Sequence, residues 1–155
     1  MVGLLLIVLV LVGCRSTPAA PPLTEADAVE LQARAFRRAC ADVICAGLPI
    51  YAPPDWPAPL RTALLSFTDE ISYLSPDQIE ALTDPDDALF EDRANLFDVD
   101  QPWVASNPAV VGVDVLIVRG FDNVVGRTYL FEWDGVSWQD ATPDGTGVTV
   151  TSSVS

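Results

Sequence analysis

The groups in this chain with the most chemistry to offer are its carboxylates and its thiols. Between Asp69 and Asp100 stand eleven carboxylates and one arginine. Asp84, Asp86, Asp87, Glu91 and Asp92, followed by Asp98 and Asp100, are hard oxygen donors of the kind that hold Ca²⁺ outside the cell. Their Asp-x-Asp-Asp spacing lacks the glycine and the closing glutamate of an EF-hand loop, so a solvated acidic face is the default reading. Paired carboxylates also hydrolyse glycosides, the distance between them setting the stereochemistry. Trp56, Trp103, Trp133 and Trp138 could stack on sugar rings, although tryptophans in a small domain more often build the core and its rim.

What is missing narrows the chemistry further. The chain has no histidine and no lysine. That removes Ser-His and Cys-His nucleophile pairs, His-ligated zinc or haem, Ser-Lys dyads and Schiff bases. Eight arginines against 22 acidic residues leave a formal charge of −14. Such a charge repels nucleic-acid phosphates and keeps the folded part off anionic headgroups. No constellation of residues specifies a reaction, and a non-enzymatic protein is expected.

Cys14 follows an apolar run from Val2 to Val12 that is interrupted only by Gly3. This length lies within the roughly 7–15 residues of a signal-peptide core and below the ~20 needed to span a bilayer. The ending Leu11-Val12-Gly13-Cys14 resembles the lipobox of bacterial lipoproteins. The resemblance implies a signal peptide over 1–13 that is removed, and a diacylglycerol joined to the Cys14 sulfur. Residues 14–23 then form a Pro-rich tether, and 24–155 a single domain. Two or three acyl chains suffice for stable attachment. The proline-punctuated octet Arg15 to Pro22, at ~3.1 Å per residue, keeps the domain within about 25 Å of the membrane. The location implied is extracytoplasmic, on the cell membrane or on the outer membrane of a host that has one.

With Cys14 lipidated, Cys40 and Cys45 are left to each other in an oxidising compartment. Redox dithiols usually have two intervening residues, and here there are four, which favours a structural bridge contributing about 2 kcal/mol. Residues five apart in a helix differ by about 7.5 Å of rise, beyond the usual disulfide span. A helix joining them must therefore end or distort near Cys40.

The remaining elements divide the domain into a helical first half and a β-rich second half. Thr24 and Asp27 form a capping box. Behind it Leu31, Ala35, Phe36, Ala39 and Cys40 make one apolar stripe, with Arg34, Arg37 and Arg38 complementing the dipole near the helix end. Gly47 to Pro59, with five prolines, reads as an irregular connection carrying Tyr51 and Trp56. A second helix is expected from about Pro59 to Leu74. A third starts at Ser75-Pro76-Asp77 and ends near Pro85, with another turn or two over Asp86 to Arg93. From Ala109 the period becomes two, with Val111, Val113, Val115 and Ile117 on one face and Asp114 on the other. Asp134-Gly135 predicts a two-residue type I′ hairpin that pairs Trp133 with Val136 and Phe131 with Trp138. A strand through Val148 and Val150 completes the set.

The fold class expected is α+β, with two to four N-terminal helices packed on a C-terminal antiparallel sheet of about four strands. This order resembles the cystatin-like and NTF2-like modules, in which helix and curved sheet enclose an apolar pocket. The functional expectation is a binding or accessory module at the cell envelope, its partner an envelope protein or a small apolar ligand. The alternatives are a phage-type superinfection-exclusion lipoprotein and a carboxylate-dependent envelope hydrolase.

Overall fold

The computed structural model describes residues 19–43, 49–68, 71–82, 95–119, 124–142 and 150–151. The first element, α1 (Glu25–Val43), begins at the expected capping box. The Thr24 hydroxyl accepts from the Asp27 N–H at 3.1 Å, and the Asp27 carboxylate accepts from the Thr24 N–H at 3.0 Å. Each side chain thereby satisfies a backbone donor that the first helical turn leaves open. The helix ends at Val43, between the two cysteines.

The strand β1 (Ile50–Ala52) leads into α2 (Ala58–Leu65), β2 (Ile71–Tyr73), α3 (Pro76–Leu82) and β3 (Asn95–Val99). Next come β4 (Trp103–Val104), β5 (Val110–Val118), β6 (Val124–Trp133), β7 (Trp138–Asp140) and β8 (Val150–Thr151). All eight strands belong to one mixed sheet, in the order β2-β1-β3-β5-β6-β7. β1 runs parallel to both β2 and β3, and the remaining pairings are antiparallel. β4 adds to the β3 edge of β5, and β8 adds to the free end of β6.

The class is α+β, but the sheet corrects two expectations. It is larger than four strands and mixed, because the proline-rich connection contains β1 and the tail of the expected second helix is β2. Leu64 closes α2 by accepting at its carbonyl from the Phe67 and Thr68 N–H groups, at 2.8 and 3.0 Å. Ile71, Ser72 and Tyr73 then pair with Ile50, Tyr51 and Ala52. Three ladder pairings to a buried strand outweigh the helical spacing of Phe67 and Ile71, since propensity is a weak prior. Strands and helices therefore interleave in the first half, unlike the helices-then-meander order. The third helix starts as expected, with the Ser75 N–H donating to Gln78 at 2.9 Å. Its end, the turns over Asp86 to Arg93, and Val148 lie outside the described residues.

A hairpin correction keeps its consequence. Trp133 pairs with Trp138, so the loop has four residues and Phe131 faces Asp140. Asp134 Oδ1 accepts from the Val136 and Ser137 N–H groups at 2.8 and 2.9 Å, and Gly135 takes φ 103°. A register change of two residues preserves which face each side chain occupies. Phe131, Trp133 and Trp138 therefore still share one face.

That face carries the core. Leu31, Ala35, Phe36, Ala39 and Cys40 of α1 and Leu60 and Leu64 of α2 are buried on it, against Phe97, Val99, Val111, Val113, Val115, Ile117, Tyr129 and Phe131. The Phe36 ring meets Trp56, Phe67 and Phe97 edge-on at 5.9, 6.1 and 5.0 Å. The arginines of α1 fasten it to its neighbours. Arg34 donates to the Trp138 carbonyl at 2.6 Å and lies over Phe131, and Arg37 donates to Ser66 at 3.1 Å. Arg38 pairs with Asp140 and lies over Tyr129. Burial pushes the Asp140 carboxyl up, but the Thr142 backbone N–H and Arg38 outweigh it and hold the group below the usual carboxylate range. At the helix end Asp42 accepts from Arg127 and from the Tyr129 hydroxyl, at 2.7 and 3.0 Å. Burial, reinforced by that carboxylate, raises the Tyr129 hydroxyl well above its ordinary value.

Replacing Phe36 by Ala removes a wholly buried ring from the junction of both helices with the sheet. The expected cost is about 3–5 kcal/mol, read as a lower urea midpoint with an unchanged slope.

Candidate functional site

Strand alternation sends Leu96, Asp98 and Asp100 to the sheet face opposite the core, together with Gly112, Asp114, Leu116 and Val118 of β5. Only one end of this second face is covered by a helix among the described residues. There Ile79 of α3, with Tyr51 and Val118, packs against Leu74 and Leu96. Beyond it lie two cavities that share Asp98 and Leu116 in their walls. One, of about 700 Å³, has Leu96, Val118, Ile79, Pro53, Pro54 and Asp55 around it. The other, of about 390 Å³, reaches Asp100, Asp114, Gly126 and Thr128.

The mouth of the larger cavity is set by the Pro53–Pro57 loop, which follows β1. Arg61 of α2 holds it: Nε donates to the Trp56 carbonyl at 2.8 Å and Nη2 donates to the Pro54 carbonyl. Arg61 also stacks on Tyr73, 4.4 Å from the ring centre. Trp56 turns from this loop into the core and is 5% exposed. Its indole N–H is buried without a hydrogen-bond partner.

At the other end Trp103 of β4 lies over Gly112 of β5, so closely that a β-carbon there would collide with the indole ring. Trp103 Nε1 donates to Asp114 Oδ2 at 2.9 Å, while the Thr128 hydroxyl donates to the other carboxylate oxygen. The acid is thus oriented on both oxygens. Asp100 is tied to the same strand, its N–H donating to the Asp114 carbonyl at 2.9 Å. From the core side, Gln32 donates to the Asp100 carbonyl at 3.1 Å.

Asp98 joins the two cavities and is the perturbed acid. Although part of its side chain reaches solvent, burial raises its carboxyl above the usual range. The nearby indole N–H of Trp56 opposes the shift, and the charges of Asp100 and Asp55 add to it. Among the described residues the surroundings have acids but no compensating cation: Arg127 lines the smaller cavity, yet its guanidinium is committed to Asp42 on the other face. The arrangement favours a positively charged guest with apolar neighbours.

Of the residues singled out from the sequence, Asp98 and Asp100 come together here. Asp84, Asp86, Asp87, Glu91 and Asp92 lie outside the described residues, as do Cys14 and Cys45. Among the described residues no group of three His, Cys, Asp or Glu side chains is placed to hold a metal ion. Cys40 is buried and is not a free thiol. Of the four tryptophans, Trp56 and Trp138 are buried, Trp133 packs against the core, and Trp103 is on the second face. The sequence reading missed Asp55, Leu116 and Thr128. Asp114 was legible as outward-pointing, but which strands would lie beside it was not. No family model, curated protein or solved structure matches this chain.

Because the folded state holds the Asp98 proton more tightly than the unfolded chain, this group's contribution is complete below the ordinary aspartate pKa. It is lost as pH rises through the higher folded value. Asp98→Asn is therefore expected to melt above the wild type at pH 7, with the gap closing toward pH 4, in thermal scans across that range. Gly112→Ala should displace Trp103 from Asp114 and cost about 1–3 kcal/mol, with a red-shifted tryptophan emission.

Proposed function

We propose that this chain is an extracytoplasmic lipoprotein, anchored by a diacylglycerol on Cys14, whose domain is a non-enzymatic binding module. The observation that supports the binding role most directly is the second sheet face. It carries two adjoining cavities, an apolar floor and a set of carboxylates with no cation among their lining side chains turned inward. The same face follows from the packing: among the described residues α1 and α2 occupy one side of the sheet, and α3 covers an end of the other. Anchoring rests on the lipobox and the tether, which keep the domain close to the membrane surface. The pairing of Cys40 with Cys45 belongs to the same reading, since an oxidising compartment keeps such a bridge intact.

Metabolic labelling with an alkyne fatty acid tests the anchor. The wild type should be labelled and stay in the membrane pellet after a carbonate wash, and Cys14→Ser should lose both properties. Equal labelling of the variant would sink the proposal. For the bridge, Cys45→Ala should expose one additional titratable thiol after unfolding without reductant, and lower stability by about 2 kcal/mol.

A further inference from the structure

The lead from Cys14 to the fold is shorter than the proline octet suggests. Ala20 and Leu23 pack against the core, so the reach is counted to Ala19 rather than to Pro22. Five links join Cys14 to Ala19, and fully extended they span no more than about 18 Å. A lead of that length holds the part of the domain where the chain enters nearest to the lipid.

The contacts of α1 place this entry along the sheet. As the helix advances from Arg34 to Arg38 to Asp42, its partners on β6 fall back from Phe131 to Tyr129 to Arg127. Four helical residues rise about 6 Å and two strand residues about 6.8 Å, so helix and strand run antiparallel and nearly in step. Thr24, ten residues before Arg34, therefore lies near the end of the sheet where β6 turns into β7. The turn between β4 and β5 is at the same end, because the Trp133 N–H donates to the Ala109 carbonyl at 2.8 Å.

This end is apolar at its tip. Val136, in the hairpin, is 84% exposed, the most of any large apolar side chain among the described residues. Val104 and Pro108, at the neighbouring turn, are exposed as well. The charges that flank them among the described residues, Glu25, Asp27 and Asp134, are acidic. Neutral lipid is therefore the surface this end fits, and anionic headgroups repel it. So few apolar atoms hold weakly on their own. A short lead compensates, because it keeps the tip at a high effective concentration over the bilayer.

We propose that the anchored domain stands end-on, with the β6–β7 hairpin and the β4–β5 turn seated on an uncharged lipid surface. This rests on the lipid-anchor reading and deepens it. The strands then rise away from the membrane. The groove formed by the two cavities of the second face, which share Asp98 and Leu116, opens sideways along it.

A polarity-sensitive fluorophore tests this on the acylated full chain, attached through Val136→Cys, Ser106→Cys or Leu65→Cys, with the chain lacking an added cysteine as background. Leu65 is also exposed, at 65%, but its neighbour Ser66 bonds Arg37. That places it about 20 Å along α1 from Thr24. In phosphatidylcholine vesicles carrying doxyl quenchers on their acyl chains, the labels at 136 and 106 should be quenched at least twofold more than the label at 65. Val136→Asp should lower quenching at 106 several-fold while the chain still floats with the vesicles. Replacing a third of the lipid by phosphatidylglycerol should do the same. Equal quenching at the three sites, or none at any of them in a chain that floats, would overturn the end-on stance alone. A chain that carries no acyl group and stays in solution would remove the anchor and the stance with it, so the two failures are told apart by flotation.

Discussion

The seam between α1 and alternate residues of β3, β5 and β6 is the constraint from which the rest of this domain follows. Phe36, Ala35 and Ala39 have no exposed surface, and neither do Phe97, Val113, Ile117 and Tyr129 opposite them. The two alanines in that stripe let the helix approach the sheet while Phe36 fills the space between Trp56, Phe67 and Phe97. Burying this seam commits one set of strand positions to the core. By the same alternation it commits the other set to the opposite side. The polar ends are secured separately, by Gln32, Arg34, Arg38 and Asp42, each bonded to a group on or beside a strand. These arginines are bonded within the fold.

The second face is what the seam leaves over. With the aromatic residues of β6 and β7 on the core side, it receives shorter and acidic residues. The small Gly112 admits the flat ring of Trp103, which in turn orients Asp114. The loop after β1 closes the other end because Arg61 spends its guanidinium on loop carbonyls. A rigid margin on each side and an apolar floor between them distinguish this groove from an acidic surface that merely faces water. Asp98 is the acid of this face whose carboxyl is raised, because its charge is partly desolvated and faces Asp100 and Asp55.

How much of this was legible depended on the range of the interaction involved. The Thr24–Asp27 box, the α1 stripe and the Ser75 cap are local patterns, and all three stand as read. β5 was equally plain, since its valines alternate over a long run with Asp114 turned outward. The hairpin was half legible. Asp134-Gly135 marks a turn, but Asp134 accepts from two N–H groups and extends the loop by two residues, a length that leaves the faces intact. By contrast β1 and β2 were hidden. Three residues among prolines, and three at the end of a helical spacing, become strands because they pair with each other and because β1 pairs with β3. The groove was hidden for the same reason: Asp55, Asp98 and Leu116 come from three distant segments.

By itself, then, the sequence determined the helix starts, the core-facing residues of α1, the outward placement of Asp114, the exclusion of histidine and lysine chemistry, and the strongly negative charge. Each depends on residue type or on spacing within one turn or one strand, where geometry is set by the local backbone. Tertiary structure alone decided that the sheet is mixed, that β1 and β2 exist, and that Asp98 and Asp100 share a groove with Asp55, Asp114 and Leu116. Those outcomes are settled by strand pairing and by competition for a single core. Neither is expressed in any one segment, because the energy that decides them appears only when distant segments meet.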